Sequence, residues 1–125
     1  MFLNLLCVGM GGFIGAILRV LSGTLISKLT ISFSFPLATL FVNIVGSFVI
    51  GIFLTHPYVL SNANLKSFFT AGLLGGLTTF STFSFDTLSL IEQRLFFNAF
   101  LNVSLNVGVA LIACYLGTLL VKALV

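Results

Sequence analysis

The chain has 125 residues; 59% are apolar, 6% are charged, and the formal net charge is +3. Soluble domains carry roughly a quarter charged residues, so this composition, with a mean hydropathy of +1.29, excludes a soluble globular protein and points to a bilayer. At about 20 residues per span, residues 1–125 are expected to form one four-span transmembrane domain of all-α class.

The first apolar stretch runs from Phe2 to Ile26. Gly11 with Gly15, and Gly12 with Ala16, stand at spacing four, which lets helix backbones approach closely. Arg19 lies about seven residues, roughly 10 Å, inside the end of this stretch. At that depth an arginine either occupies a water-filled vestibule and concentrates anions, or snorkels to the headgroups. The second stretch runs from Pro36 to Thr55, with Pro36 suited to a helix start. Asn43, near its middle, needs partners: it donates N–H to an anion in a pore, or it bonds to a neighbouring helix. Ser47 and Gly51 repeat the small-residue spacing. Breaks are expected at Ser27–Phe35, at His56–Asn64 and at Glu92-Gln93-Arg94.

The third stretch, Leu65 to Ile91, is centred near Thr78 and contains the run Gly75-Gly76-Leu77-Thr78-Thr79-Phe80-Ser81-Thr82-Phe83-Ser84-Phe85. Adjacent glycines weaken a helix, and Thr and Ser side chains compete for i−4 carbonyls. The expectation is a break near mid-bilayer, which leaves backbone carbonyls without intrahelical donors. Lipid does not tolerate such groups unless they line a cavity, a partner or an ion site. Carbonyls from two copies would make an oxygen-only cage suited to a hard cation such as Na⁺. The bland alternative is a glycine-mediated helix crossing with hydroxyls bonded back to the backbone. Phe80 and Phe83, three apart, share a helix face, and their positive ring edges suit a small anion. Asp86 lies deeper than the interfacial Glu92 and suits a cap, a cation pair or the rim of a pore.

The fourth stretch, Leu95 to Val121, places Asn98, Asn102 and Asn106 at spacing four, with Ser104 beside them. This polar stripe either completes a pore wall or makes interhelical hydrogen bonds. Ala113 and Gly117 form another small pair; Cys7 and Cys114 read as packing residues. His56 stands alone, without a nucleophile–base set or a metal cluster, so no enzyme is expected.

With four spans, Lys66 and Lys122 fall on one side of the membrane, and Lys28 and Arg94, with Arg19, on the other. Orientation normally follows a Lys/Arg excess on the cytoplasmic side. The near balance predicts insertion both ways up, which allows an antiparallel homodimer with a two-fold axis in the membrane plane; the alternative is that the small imbalance fixes one orientation.

Three segments together resemble the Fluc/CrcB family of fluoride channels: Gly11-Gly12-Phe13-Ile14-Gly15-Ala16-Ile17-Leu18-Arg19, Thr39-Leu40-Phe41-Val42-Asn43-Ile44-Val45-Gly46-Ser47-Phe48, and Gly75-Gly76-Leu77-Thr78-Thr79-Phe80-Ser81-Thr82-Phe83-Ser84. The fourth span matches only in general character, and Asp86 stands where the family usually has glutamate. The resemblance implies a dual-topology homodimer in the cell (plasma) inner membrane, with two antiparallel pores that export fluoride passively. It further implies a central structural Na⁺ held by the backbone carbonyls of Gly75 and Thr78 of each chain. Phe80 and Phe83 would line the fluoride path with ring edges, Asn43 would donate a hydrogen bond to fluoride, Ser81, Thr82 and Ser84 would form a polar track, and Arg19 would sit in the vestibule. The rival reading is a small four-span, dual-topology multidrug-resistance transporter. That class needs a carboxylate in the first span, which here holds Arg19 and no acid.

Overall fold

The computed structural model describes residues 1–30 and 34–125, and every regular element among them is helical. Helix α1, Phe2–Leu29, has 28 residues, about 42 Å at 1.5 Å per residue. It runs three residues past the expected apolar boundary. Lys28 in its last turn complements the helix dipole, and the Thr30 hydroxyl donates to the Ile26 carbonyl at 2.7 Å. The predicted Ser27–Phe35 break therefore starts later, and its residues 31–33 lie outside the described residues. Helix α2, Leu37–Phe53, has 17 residues.

The loop expected at His56–Asn64 is mostly helical. Pro57 opens α3, Pro57–Ser61, at a position where its missing N–H costs nothing. Asn62 then caps α4, Ala63–Ser67, accepting the Leu65 N–H at 3.1 Å. The chain continues through wide π turns over Phe68–Leu74, the short α5, Gly75–Leu77, and α6, Phe80–Glu92. A tight turn leads to α7, Phe96–Ser104, π turns over Leu105–Val109, and α8, Ala110–Leu124. In that tight turn Arg94 has a φ of 60°. The N–H groups of Arg94 and Leu95 close back onto the carbonyls of Ile91 and Leu90, each at 2.9 Å.

The stretches Phe2–Leu29, Ala63–Glu92 and Phe96–Leu124 are long and apolar enough to cross a membrane, and Leu37–Phe53 is a shorter apolar helix. The chain is an all-helical membrane protein.

Two backbone-on-backbone seams order the bundle. In the first, α1 packs against Phe68–Leu77. A Cβ added to Gly11 would run into the Phe68 carbonyl, and one on Gly15 into the Leu73 carbonyl. Facing them, a Cβ on Gly72 would come within 2.8 Å of the Val8 carbonyl, and one on Gly76 within 2.7 Å of the Gly12 carbonyl. In the second seam α2 packs on α8, where Gly51 faces the Cys114 carbonyl and Gly117 the Phe48 carbonyl. The glycines of the spacing-four pairs thus serve packing within the chain. Helix α6 leaves α1 and rests on α7 instead. The third helical stretch changes partners between Leu77 and Phe80, and the candidate site lies there.

Candidate functional site

Two extended residues separate α5 from α6: Thr78 with φ −78°, ψ 157°, and Thr79 with φ −151°, ψ 117°. Extended backbone exposes polar groups that need partners. Asn43 on α2 supplies them for Thr79. Its Oδ1 accepts the Thr79 N–H at 2.9 Å, and its Nδ2 donates to the Thr79 carbonyl at 3.2 Å. One side-chain amide thereby pairs both backbone groups of one residue, as a neighbouring strand would. The other Nδ2 hydrogen goes to Asn106 Oδ1 at 2.8 Å.

Thr79 also caps α6. Its Oγ1 accepts the Thr82 N–H at 3.2 Å and donates to Thr82 Oγ1 at 3.0 Å, with Ser81 Oγ at 3.3 Å. In an uninterrupted helix the Thr79 and Thr82 N–H groups would donate to the carbonyls of Gly75 and Thr78. Both are diverted to side-chain oxygens, and those two carbonyls receive no backbone donor.

Two clefts meet at Thr79. The larger, about 340 Å³, is lined by Asn43, Gly46, Thr78, Thr79, Phe80, Phe83 and Asn106 among others. The second, about 260 Å³, brings Arg19 together with Thr39, Thr79 and Thr82. Phe80 and Phe83 lie close, with centroids 5.3 Å apart and rings tilted by 52°. Their surroundings differ: Phe83 is 8% exposed and Phe80 is 78% exposed. The structure brings Thr82 to the Arg19 cleft but places neither Ser81 nor Ser84 on the lining of these two clefts. The Ser84 hydroxyl donates back to the Phe80 carbonyl at 2.9 Å.

Asp86 borders a third cleft, about 210 Å³, with Ser34, Ser89 and Gln93. Its Oδ2 accepts the Thr39 hydroxyl at 2.6 Å. Thr39 and Asn43 are one helical turn apart on α2, so α2 grips the segment after Leu77 at two points.

Of the fourth-stretch polar stripe, Asn102 and Asn106 are buried and bonded, Ser104 is exposed, and Asn98 takes no part in this network. The Asn106 amide donates to the Asn102 carbonyl and to Asn102 Oδ1, both at 3.0 Å. Asn102, 0% exposed, donates to Thr87 Oγ1 at 2.9 Å, and Thr87 donates to the Phe83 carbonyl at 2.8 Å. Asn102 and Asn106 thus make the interhelical bonds expected of the stripe, and Asn106 also lines the larger cleft. Thr87 escaped the sequence reading, and Thr39 entered it only as the first residue of a quoted segment, with no role of its own. The available signal was spacing: Thr87 follows Phe83 by four residues, and Thr39 precedes Asn43 by four.

Side chains also bond to i−4 carbonyls at the two π segments. The Asn106 side chain occupies the Asn102 carbonyl that its own backbone N–H would take in an α-helix, and the Thr70 hydroxyl occupies the Lys66 carbonyl at 2.9 Å. Both segments contribute lining to the larger cleft, through Thr70 and Leu74 and through Asn106 and Val107. Wide turns of this kind are frequent at functional sites.

Comparison with known proteins covers nearly the whole chain. The fluoride-specific ion channel FluC of Campylobacter fetus subsp. fetus (strain 82-40) is 44% identical over 124 residues, which is 98% of this chain and 97% of that protein. The protein of the same name from Campylobacter jejuni subsp. jejuni serotype O:23/36 (strain 81-176) is 46% identical over 120 residues, 95% of this chain and 98% of that protein. A third such protein, from Ruminiclostridium cellulolyticum, is 41% identical over 124 residues, 98% of this chain and 95% of its own length. The family described as CrcB-like protein, Camphor Resistance (CrcB), matches residues 6–118, a range that contains the Asn43 clamp, both clefts at Thr79 and the Asn102–Asn106 pair. The chain therefore belongs to the CrcB family.

Proposed function

We propose that this chain is a fluoride-selective passive channel, and not an enzyme, which exports cytoplasmic fluoride across the cell (plasma) inner membrane. It works as a single four-span domain paired with a second copy in antiparallel orientation, with two pores per pair. The third span is broken near mid-bilayer at Thr78 and Thr79. The names of the relatives support fluoride as the ion. The multidrug-transporter alternative is not favoured, because α1 holds Arg19 and no carboxylate.

The observation that carries this reading is the rerouting of hydrogen bonds at Thr79. Asn43 and Thr79 Oγ1 take the N–H groups that would close the helix. The carbonyls of Gly75 and Thr78 are left without those backbone donors. Uncharged, hard oxygens of this kind fit Na⁺, and two copies meeting near Thr78 would supply four of them. A bound Na⁺ would add fixed positive charge between the copies; the anion path belongs to the side chains.

Fluoride is small and strongly hydrated, so its path must replace water donors closely while still releasing the ion. Arg19 and the Thr82 hydroxyl, whose own hydrogen has no acceptor among the hydrogen bonds described above, face the second cleft and draw the anion in. The ring edges of Phe80 and Phe83 then offer positive potential without a charge that would trap it. Asn43 donates an N–H to the passing anion by releasing one of its two present acceptors. Ser81 and Ser84 belong to the polar track only if the partner copy closes over the exposed face of α6.

Purified chain in potassium-fluoride-loaded liposomes is expected to release fluoride on addition of a potassium ionophore, and to release no chloride under the same conditions. Phe80→Ile and Asn43→Ala are expected to abolish the flux. Wild-type protein that is folded but inert to fluoride would overturn the proposal.

A further inference from the structure

We propose that Asn106 is an internal competitor for the anion: its side-chain oxygen holds the Asn43 N–H that fluoride must take, and so sets how readily the pore lets fluoride go. This rests on the fluoride reading above. Asn43 has two amide hydrogens, and both are engaged, one by the Thr79 carbonyl and one by Asn106 Oδ1. The first bond, together with Thr79 N–H to Asn43 Oδ1, keeps the extended step paired. Releasing it would leave a backbone carbonyl unpaired. Asn43, Thr79 and Asn106 all line the 340 Å³ cleft beside Phe80 and Phe83, but the Thr79 bond belongs to the reciprocal pair that holds the extended step, so the bond to Asn106 is the one that can be exchanged.

Asn106 is built as an acceptor of unusual quality. Both of its own amide hydrogens are fixed on Asn102, which points Oδ1 at Asn43 and leaves no other orientation that satisfies the group. Asn102 passes the polarity on to Thr87, and Thr87 to the Phe83 carbonyl. Every donor in this chain points the same way, from Asn43 toward Phe83. Bonds aligned head to tail strengthen one another, so the oxygen offered to Asn43 is more basic than that of a lone amide. An anion that takes the Asn43 N–H must displace it, and when the anion leaves, the bond to Asn106 re-forms. The competitor weakens ground-state binding and speeds release, which a conducting site requires.

The competition has a sign that a merely supportive role lacks. Asn106→Leu removes the competing oxygen at similar volume. A net hydrogen bond of this kind corresponds to roughly a three- to tenfold change in an equilibrium constant. The half-saturating fluoride concentration for channel current is therefore expected to fall by about three- to tenfold, with maximal current falling as release slows. Asn106→Ser, too short to reach Asn43, is expected to shift half-saturation the same way and covers the case in which the leucine variant fails to fold. If Asn106 only steadies Asn43, both variants will raise half-saturation or leave it unchanged, and the proposal is overturned.

A second readout does not depend on conduction. Sodium fluoride titrated into isotopically labelled protein in detergent is expected to move the Asn43 side-chain amide resonance, at lower fluoride in either variant than in wild type. A resonance indifferent to fluoride in all three proteins also overturns the proposal. Wild type that shows the amide shift but conducts nothing would refute the channel while leaving the competition standing.

Discussion

Between Phe68 and Leu77, the third helical stretch meets its neighbour as bare backbone: Gly72 lies against Val8 and Gly11 of α1, Gly76 against Gly12, and Gly15 against the Leu73 carbonyl, each with no room for a Cβ. After Thr79, the same stretch is held by side chains: Asn43 on Thr79, Thr39 on Asp86, Asn102 on Thr87. In lipid, helices gain no hydrophobic energy by touching one another, so association depends on close packing or on polar groups that find partners. This chain uses one means on each side of two extended residues. The glycine seam is sensitive to volume. The segment from Thr79 onward is sensitive to lost donors and acceptors, and both sides line the larger cleft where Thr79 stands.

The sharpest way to break the contrast is on the glycine side. Gly15→Val puts a branched side chain into the Leu73 carbonyl. Overpacking of this kind costs about 3 kcal/mol or more where the obstacle is backbone, and size-exclusion chromatography is expected to show little folded protein. Gly9→Val, on the same helix with nothing within 4 Å of an added Cβ, is the matched control and is expected to elute as wild type.

Asn43→Leu tests the polar side. It keeps the volume but removes the partners of the Thr79 N–H and carbonyl, at about 1–3 kcal/mol for each buried group left unpaired. A lowered midpoint in denaturant, together with lost fluoride flux, is the expected outcome. A midpoint equal to wild type would mean that the extended step does not depend on the clamp.

The smallest expected effects separate two hydroxyls that look alike in sequence. Thr79→Val removes an N-cap and is expected to cost about 1 kcal/mol. Ser84→Ala removes only a bond to its own i−4 carbonyl on an exposed turn, and unfolding midpoints should stay within about 0.5 kcal/mol of wild type.

The glycine seams were legible because spacing four is a local property of the sequence, and Gly11 with Gly15 and Ser47 with Gly51 could be picked out before any fold was known. The singularity of the Gly75–Phe85 run was legible for the same reason. Partner choice was not. Asn43 finds Asn106 at a sequence separation of 63 and Thr39 finds Asp86 at 47, and nothing local says which of several buried polar residues will face which. Of the two readings of Asn43, the structure shows the bond to a neighbouring helix, with Nδ2 engaged by Thr79 and Asn106. The π turns stayed hidden: Asn106 and Thr70 bond to their i−4 carbonyls there, but Thr24 and Thr87 do the same inside regular α-helix, so no local pattern marks them.

Arg94 carries a consequence for how this sequence can change. A non-glycine residue with φ near 60° gives up roughly 1–2 kcal/mol, and a glycine would close the α6–α7 turn with less strain. Yet Arg94 is one of only five Lys and Arg residues in the chain, and these residues bias the direction in which a nascent membrane protein inserts. A substitution that relaxed the turn would also remove a vote on orientation. Backbone comfort and the way up in the bilayer are thus linked at one codon, and a search for stabilising mutations there would select for topology as well.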